Sequence, residues 1–136
     1  MHELFDHTAD VGIRATAATL DELFSEAAKG LFSVIVENPA DGQPTETREF
    51  QLEEADTAFL LFDWLNELLY VFESEHLILS RFECRLQDDK LTATAHGEPL
   101  DEQRHRLGNE VKAITYHELK VQQRDSDWLA EIIVDI

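Results

Sequence analysis

Val11-Gly12-Ile13-Arg14-Ala15-Thr16-Ala17-Ala18-Thr19-Leu20-Asp21-Glu22-Leu23-Phe24 changes its period midway, and that change decides the fold class. Val11, Ile13, Ala15 and Ala17 alternate with Gly12, Arg14 and Thr16, the pattern of a strand buried on one face. Thr19 and Glu22 then form a T-x-x-E capping box, in which the hydroxyl takes an orphan helix N–H. Leu20, Leu23, Phe24, Ala27, Ala28, Leu31 and Ile35 follow at helical spacing. Asn38-Pro39 is expected to end this helix, because a residue before proline is pushed out of the helical region.

Outward from that stretch, residues 37–48 carry two of the three prolines and read as a surface loop. A short strand is expected over Arg48 to Glu53. A second helix is expected from about Asp56 to Phe72, with a narrow polar stripe of Asp63, Asn66 and Glu67. Such a helix should lie centrally, against a sheet and against the first helix. Phe82, Cys84 and Leu86 alternate with charged residues, Asp88-Asp89 makes a turn, and Leu91, Ala93 and Ala95 alternate again, giving a hairpin. Gly97 to Gly108 is polar and irregular. Lys112 to Arg124 reads as one long strand, and Trp128 to Ile136 as a final, central one. The whole predicts a single domain spanning 1–136. Its class is α+β: two layers, with two main helices on one mixed, largely antiparallel sheet.

Charge narrows the partners. The chain of 136 residues has 11 Lys and Arg against 29 Asp and Glu, a net charge of −18. Tight nucleic-acid binding needs cations to replace phosphate counterions, so it is not expected, and neither is docking on an anionic membrane. Cations or a basic macromolecule are the expected partners. With 43% hydrophobic residues, disorder is not expected either. The single cysteine, Cys84, forms no internal disulfide and falls in a strand pattern, which suits a small core residue in a reducing cytoplasm. No signal peptide is legible at the N-terminus, and the apolar run 58–72 is too short and too charged to span a bilayer.

Among the acids, Asp10 and Asp135 stand apart. One lies at the mouth of the first strand and the other directly follows Ile132-Ile133-Val134. If the two strands are neighbours, these carboxylates converge, and oxygens of Ile136 add to them. Such a set suits Mg²⁺ or Ca²⁺. A strand cap and a frayed end account for the same spacing. His2, His7, His76, His96, His105 and His117 show no metal-binding spacing, and read as surface or internally satisfied residues. Lys112 is one of few cations, and either pairs with a carboxylate or meets a phosphate or acidic partner group. No phosphate loop, dinucleotide fingerprint, nucleophile elbow or Cys/His dyad is present.

His7-Thr8-Ala9-Asp10-Val11-Gly12, Gly97-Glu98, His105, Val111-Lys112-Ala113-Ile114-Thr115-Tyr116-His117 and Ile133-Val134-Asp135-Ile136, taken in order, resemble the archease family. The resemblance covers essentially the whole chain. It implies a small acidic protein of strand–helix–strand–strand modules. It implies an activator, not an enzyme: a partner of the RtcB-type RNA ligase in tRNA splicing and RNA repair. The activator promotes guanylylation and multiple turnover, and GTP belongs to the ligase. It further implies a divalent metal, Ca²⁺ or Mg²⁺, held by Asp10, Asp135 and an oxygen of Ile136. Lys112, with Asp10 and His7, would serve activation or partner contact. Competing readings are a general chaperone or regulatory module for RNA-modifying enzymes, a small metal-dependent hydrolase, and a metal-free interaction domain.

Overall fold

The first and last predicted strands are direct neighbours, paired antiparallel from Asp10↔Asp135 to Ala17↔Trp128. A computed structural model describes residues 1–7, 10–38 and 44–136, with the backbone alone for Asp6 and His7. The elements are β1 (His2–His7), β2 (Asp10–Ala17), α1 (Leu20–Ile35), β3 (Glu46–Glu53), α2 (Thr57–Glu75), β4 (Leu77–Gln87), β5 (Lys90–Pro99), β6 (Ala113–Ile114), β7 (Lys120–Gln123) and β8 (Trp128–Asp135). This is the expected α+β class. The strands divide between two sheets, however, and all described pairings are antiparallel. One sheet runs β1-β2-β8, with β6 and β7 following one another along the far side of β8. The other runs β3-β5-β4.

Helix α1 explains the division. It buries Leu23, Phe24, Ala27, Ala28, Leu31, Phe32, Val34 and Ile35, so it is apolar around most of its circumference and needs walls on more than one side. It packs on β2 of one sheet and on β4 of the other. Thr19 caps it as expected, its Oγ1 accepting the Glu22 N–H at 3.2 Å. The helix stops at Ile35, before Asn38-Pro39, because Val36 is extended and bridges Leu107. Residues 39–43 of the proline-bearing loop lie outside the described residues.

The central helix is therefore α1, not α2 as the sequence suggested. Helix α2 buries Leu60, Leu61, Trp64, Leu65, Leu68, Leu69 and Val71, yet leaves Phe59 and Tyr70 exposed. Trp64 joins it to α1 by donating its ring N–H to the Phe24 carbonyl at 3.1 Å. Asp56 caps α2, its carboxylate accepting from the Ala58 and Phe59 N–H groups.

The hairpin is where the alternation put it. Asp88 and Asp89 both have positive φ, 51° and 64°, which matches the twist of a two-residue hairpin turn. Two further expectations need correction. The stretch Lys112 to Arg124 is two short strands, β6 and β7, with an excursion between them. The strand β1 escaped the sequence reading. His2 is polar although it shares the helix-facing side with Leu4, and Leu4-Phe5 puts two apolar residues side by side, so no period-two signal appears.

Candidate functional site

One face of the five-stranded sheet turns away from α1, and its residues fall in rows across the strands. In one row Glu3, Arg14, Glu131 and Lys120 are successive Cα partners. They form an alternating ion ladder: Arg14 to Glu3 at 2.9 Å, Arg14 to Glu131 at 2.7 Å, and Lys120 to Glu131 at 3.2 Å. Partial burial pushes the Glu131 carboxyl up, but the bonds from Arg14 and Lys120 outweigh it and hold the group below the usual carboxylate range. The next row is Phe5, Gly12 and Ile133. The Phe5 ring lies where a side chain on Gly12 would stand, and Arg14 covers that ring at 4.7 Å.

The row beyond holds Asp10, Asp135 and Ala113, with His7 as the Cα partner of Asp10. Period-two alternation places Asp10 and Asp135 on the same face. Both are half-buried. Two carboxylates directly opposite on antiparallel strands repel, and a bound cation removes that cost. The Lys112 backbone N–H donates to the Asp135 carbonyl at 2.8 Å. Thr115 adds two bonds to the Ile133 carbonyl, from its N–H at 3.0 Å and its hydroxyl at 2.9 Å. These bonds stitch 112–115 to β8 and bring Lys112 to the same sheet end as Asp10, Asp135 and Ile136. The Lys112 side chain is exposed and makes no ion pair among the described residues. The side chain of His7 lies outside the described residues, as do Thr8 and Ala9.

Among the described residues, no three His, Cys, Asp or Glu side chains cluster as a metal centre. Asp10 and Asp135 supply two carboxylates, and Ile136 is the next residue along the same strand end. An all-oxygen set fits a hard divalent cation, and two carboxylates fall short of the roughly six to eight oxygens such an ion takes. For such an ion the remaining ligands would have to come from Ile136, water or a partner.

A second polar cluster joins Glu98 and His105, two motif residues whose contact was not legible in the sequence. Glu98 and His105 are both buried, 6% and 3% exposed. The Asp101 N–H donates to His105 Nδ1 at 2.9 Å, so the ring proton sits on Nε2, which donates to Glu98 Oε1 at 2.7 Å. Arg104 donates to the other Glu98 oxygen at 2.8 Å. Burial pushes the Glu98 carboxyl up, and these two donors bring it below the ordinary range. The cluster locks residues 98–105, and the following residues are tied to the end of α1 through Gly108 to Ile35 and Asn109 to Val34. His96 and His2 are likewise engaged, with Glu83 and Thr47, and with Ser33 and Glu26. Burial pushes the Cys84 thiol up to about 11, which suits the core role expected of it and not a nucleophile.

The Archease protein family model matches residues 2–136. Protein archease of Thermococcus kodakarensis is 40% identical over 139 residues, covering 98% of this chain and 97% of that one. Protein archease of Methanopyrus kandleri is 41% identical over 138 residues, covering 98% of each. The solution structure of Methanobacterium thermoautotrophicum Protein 1598 superposes with a TM-score of 0.88 at 35% identity, over 99% of this chain and 98% of that one. A crystal structure from Thermotoga maritima, described as an archease and possible chaperone, shares the fold with a TM-score of 0.65 at 20% identity, over 100% and 98% of the two chains.

Proposed function

Because this chain belongs to the archease family, we propose that it is an accessory activator of an RtcB-type RNA ligase, promoting the ligase's guanylylation without chemistry of its own. The observation that carries this reading is the pairing Asp10↔Asp135, with the Lys112 N–H on the Asp135 carbonyl. It sets two aspartates opposite one another in register and brings Lys112, whose side chain makes no ion pair among the described residues, to the same end of the sheet. Asp10 and Asp135, with an oxygen of Ile136, would hold Ca²⁺ or Mg²⁺. Such an ion neutralises phosphate charge when bound. The residues of this chain have separate duties. The two aspartates are oriented by the β2–β8 ladder, and the ammonium of Lys112 meets a guanylate phosphate or a ligase carboxylate. The remaining acids steer the protein to a basic, RNA-binding surface. Nucleotidyl transfer depends on positioning and charge neutralisation, which is what these groups offer.

Single-turnover guanylylation of the ligase tests the reading. Asp10→Ala, Asp135→Ala and Lys112→Ala are each expected to lose the stimulation. Wild-type stimulation by all three overturns it. Stimulation of unrelated enzymes, independent of Asp10, would instead mark a general chaperone.

A further inference from the structure

Beside the same sheet end, the chain leaves the sheet and carries an aromatic residue with it. Between the pairs Ile114↔Val134 and Lys120↔Glu131, residues 115–119 stand opposite only 132 and 133. The surplus bulges outward. It is held by the His117 N–H on Thr115 Oγ1 at 3.2 Å, by the Leu119 N–H on the Tyr116 carbonyl at 3.1 Å, and by Glu118 in the left-handed region at φ 55°. Tyr116 rides on this bulge and lies over α2. Its ring stacks on Phe62 with centroids 4.0 Å apart at 19°, and Phe59 meets it edge-on at 5.5 Å. With one face on Phe62 and 60% of the residue exposed, Tyr116 offers its other face to solvent. Phe59 is 44% exposed beside it.

Large exposed rings that hold one another in place are unusual on a monomer surface and mark contact sites. Their surroundings select the occupant. Asp63 follows Phe62 and lies one helical turn from Phe59 on the same stripe of α2. Partial burial, then the charge of Glu54, pushes its carboxyl up, so a cation alongside relieves it. The whole chain carries −18. A planar, weakly hydrated guanidinium stacks on a ring face and pairs with a carboxylate at once, which a lysine ammonium does less well. Aromatic platforms also stack nucleobases, but those sit in positively charged grooves, whereas this chain carries −18 and sets Asp63 one helical turn from Phe59.

We propose that Tyr116, Phe62 and Phe59 form a docking platform for an arginine side chain of the basic protein partner, with Asp63 as its counter-charge. This rests on the reading of the protein as a ligase activator and names the surface through which the ligase is met.

The test is titration of the RtcB-type ligase of the same source with the full-length protein. Tyr116→Ser and Phe59→Ser are expected to weaken binding at least about ten-fold, with unchanged circular dichroism. Tyr116→Phe keeps the ring and is expected to bind like wild type. Asp63→Asn is expected to weaken binding less and to flatten its salt dependence. If wild type does not bind the ligase, this proposal and the functional reading both fall. If wild type binds and the two serine variants bind equally well, this proposal alone falls. It also falls if Tyr116→Phe is as weak as Tyr116→Ser, which would assign the contact to the hydroxyl. Binding of single-stranded RNA by the isolated protein, abolished by Tyr116→Ser, would overturn it in favour of a nucleic-acid platform.

Discussion

Asp10 and Asp135 are direct Cα partners on adjacent antiparallel strands, although they lie near opposite ends of the chain. Like charges directly opposite cost roughly 0.2–1 kcal/mol. In chelator, Asp135→Asn is therefore expected to melt slightly above wild type. With the proposed metal site, millimolar Ca²⁺ or Mg²⁺ is expected to reverse the order, because wild type alone would gain binding energy in its folded state. Thermal melts with and without metal check both halves.

Lys112→Ala separates activity from stability. The side chain is exposed and makes no ion pair among the described residues, while the bond to Asp135 comes from the backbone. Its melting free energy should stay within about 0.5 kcal/mol of wild type, whereas ligase stimulation is lost. Paired denaturant melts and guanylylation assays measure the two.

The ladder Glu3–Arg14–Glu131–Lys120 is partly exposed, so salt should weaken it. Glu131→Gln leaves Arg14 and Lys120 without their shared carboxylate. A loss of about 1 kcal/mol at low ionic strength is expected, shrinking in 1 M salt (a Debye length of about 3 Å). Urea unfolding at both ionic strengths reads the difference.

Glu98 links stability to pH. Its folded carboxyl lies below its unfolded range because Arg104 and His105 outweigh the cost of burial. The folded state then binds fewer protons than the unfolded state, so the contribution is complete above the unfolded value of about 4.3. It is lost as pH falls through the folded value. Glu98→Gln is expected to cost about 1–3 kcal/mol at pH 7. The gap from wild type should narrow below about pH 4. Melts from pH 7 to pH 3 test the trend.

Gly97 sits beside that cluster, where β5 runs past the irregularity between Leu79 and Arg81 of β4. A Cβ there would collide with the Ile78 carbonyl oxygen and the Leu79 Cα, both backbone. Backbone yields less readily than a side-chain tip. Gly97→Ala should cost about 1–3 kcal/mol and expose residues 98–105 to faster amide exchange.

Much of the fold was legible because it is local. Thr19 with the apolar spacing of Leu23, Phe24, Ala27 and Leu31 placed α1, and the alternation around Asp88-Asp89 placed the β4–β5 hairpin. Errors came where a partner elsewhere decides. β1 is held by pairing with β2 and lacks alternation of its own. The run from Lys112 to Arg124 is broken because residues 115–119 have too few opposite numbers on β8. α2 looked central from its composition, but Phe59 and Tyr70 face outward while α1 takes the place between the sheets.

The candidate site divides in the same way. The sequence by itself marked Asp10, Asp135 and Lys112, since strand-end carboxylates and a rare cation are visible one residue at a time. The net charge of −18 is likewise read from the sequence alone. Only the tertiary structure decided that Asp10 faces Asp135, that Lys112 joins them through a backbone bond, that Glu98 meets His105, and that Tyr116 stacks on Phe62. Sequence patterning reports the period of one segment against an unspecified interior. Register and ring contacts are set by which segments meet and at what offset, and that is fixed only when distant parts of the chain pack together.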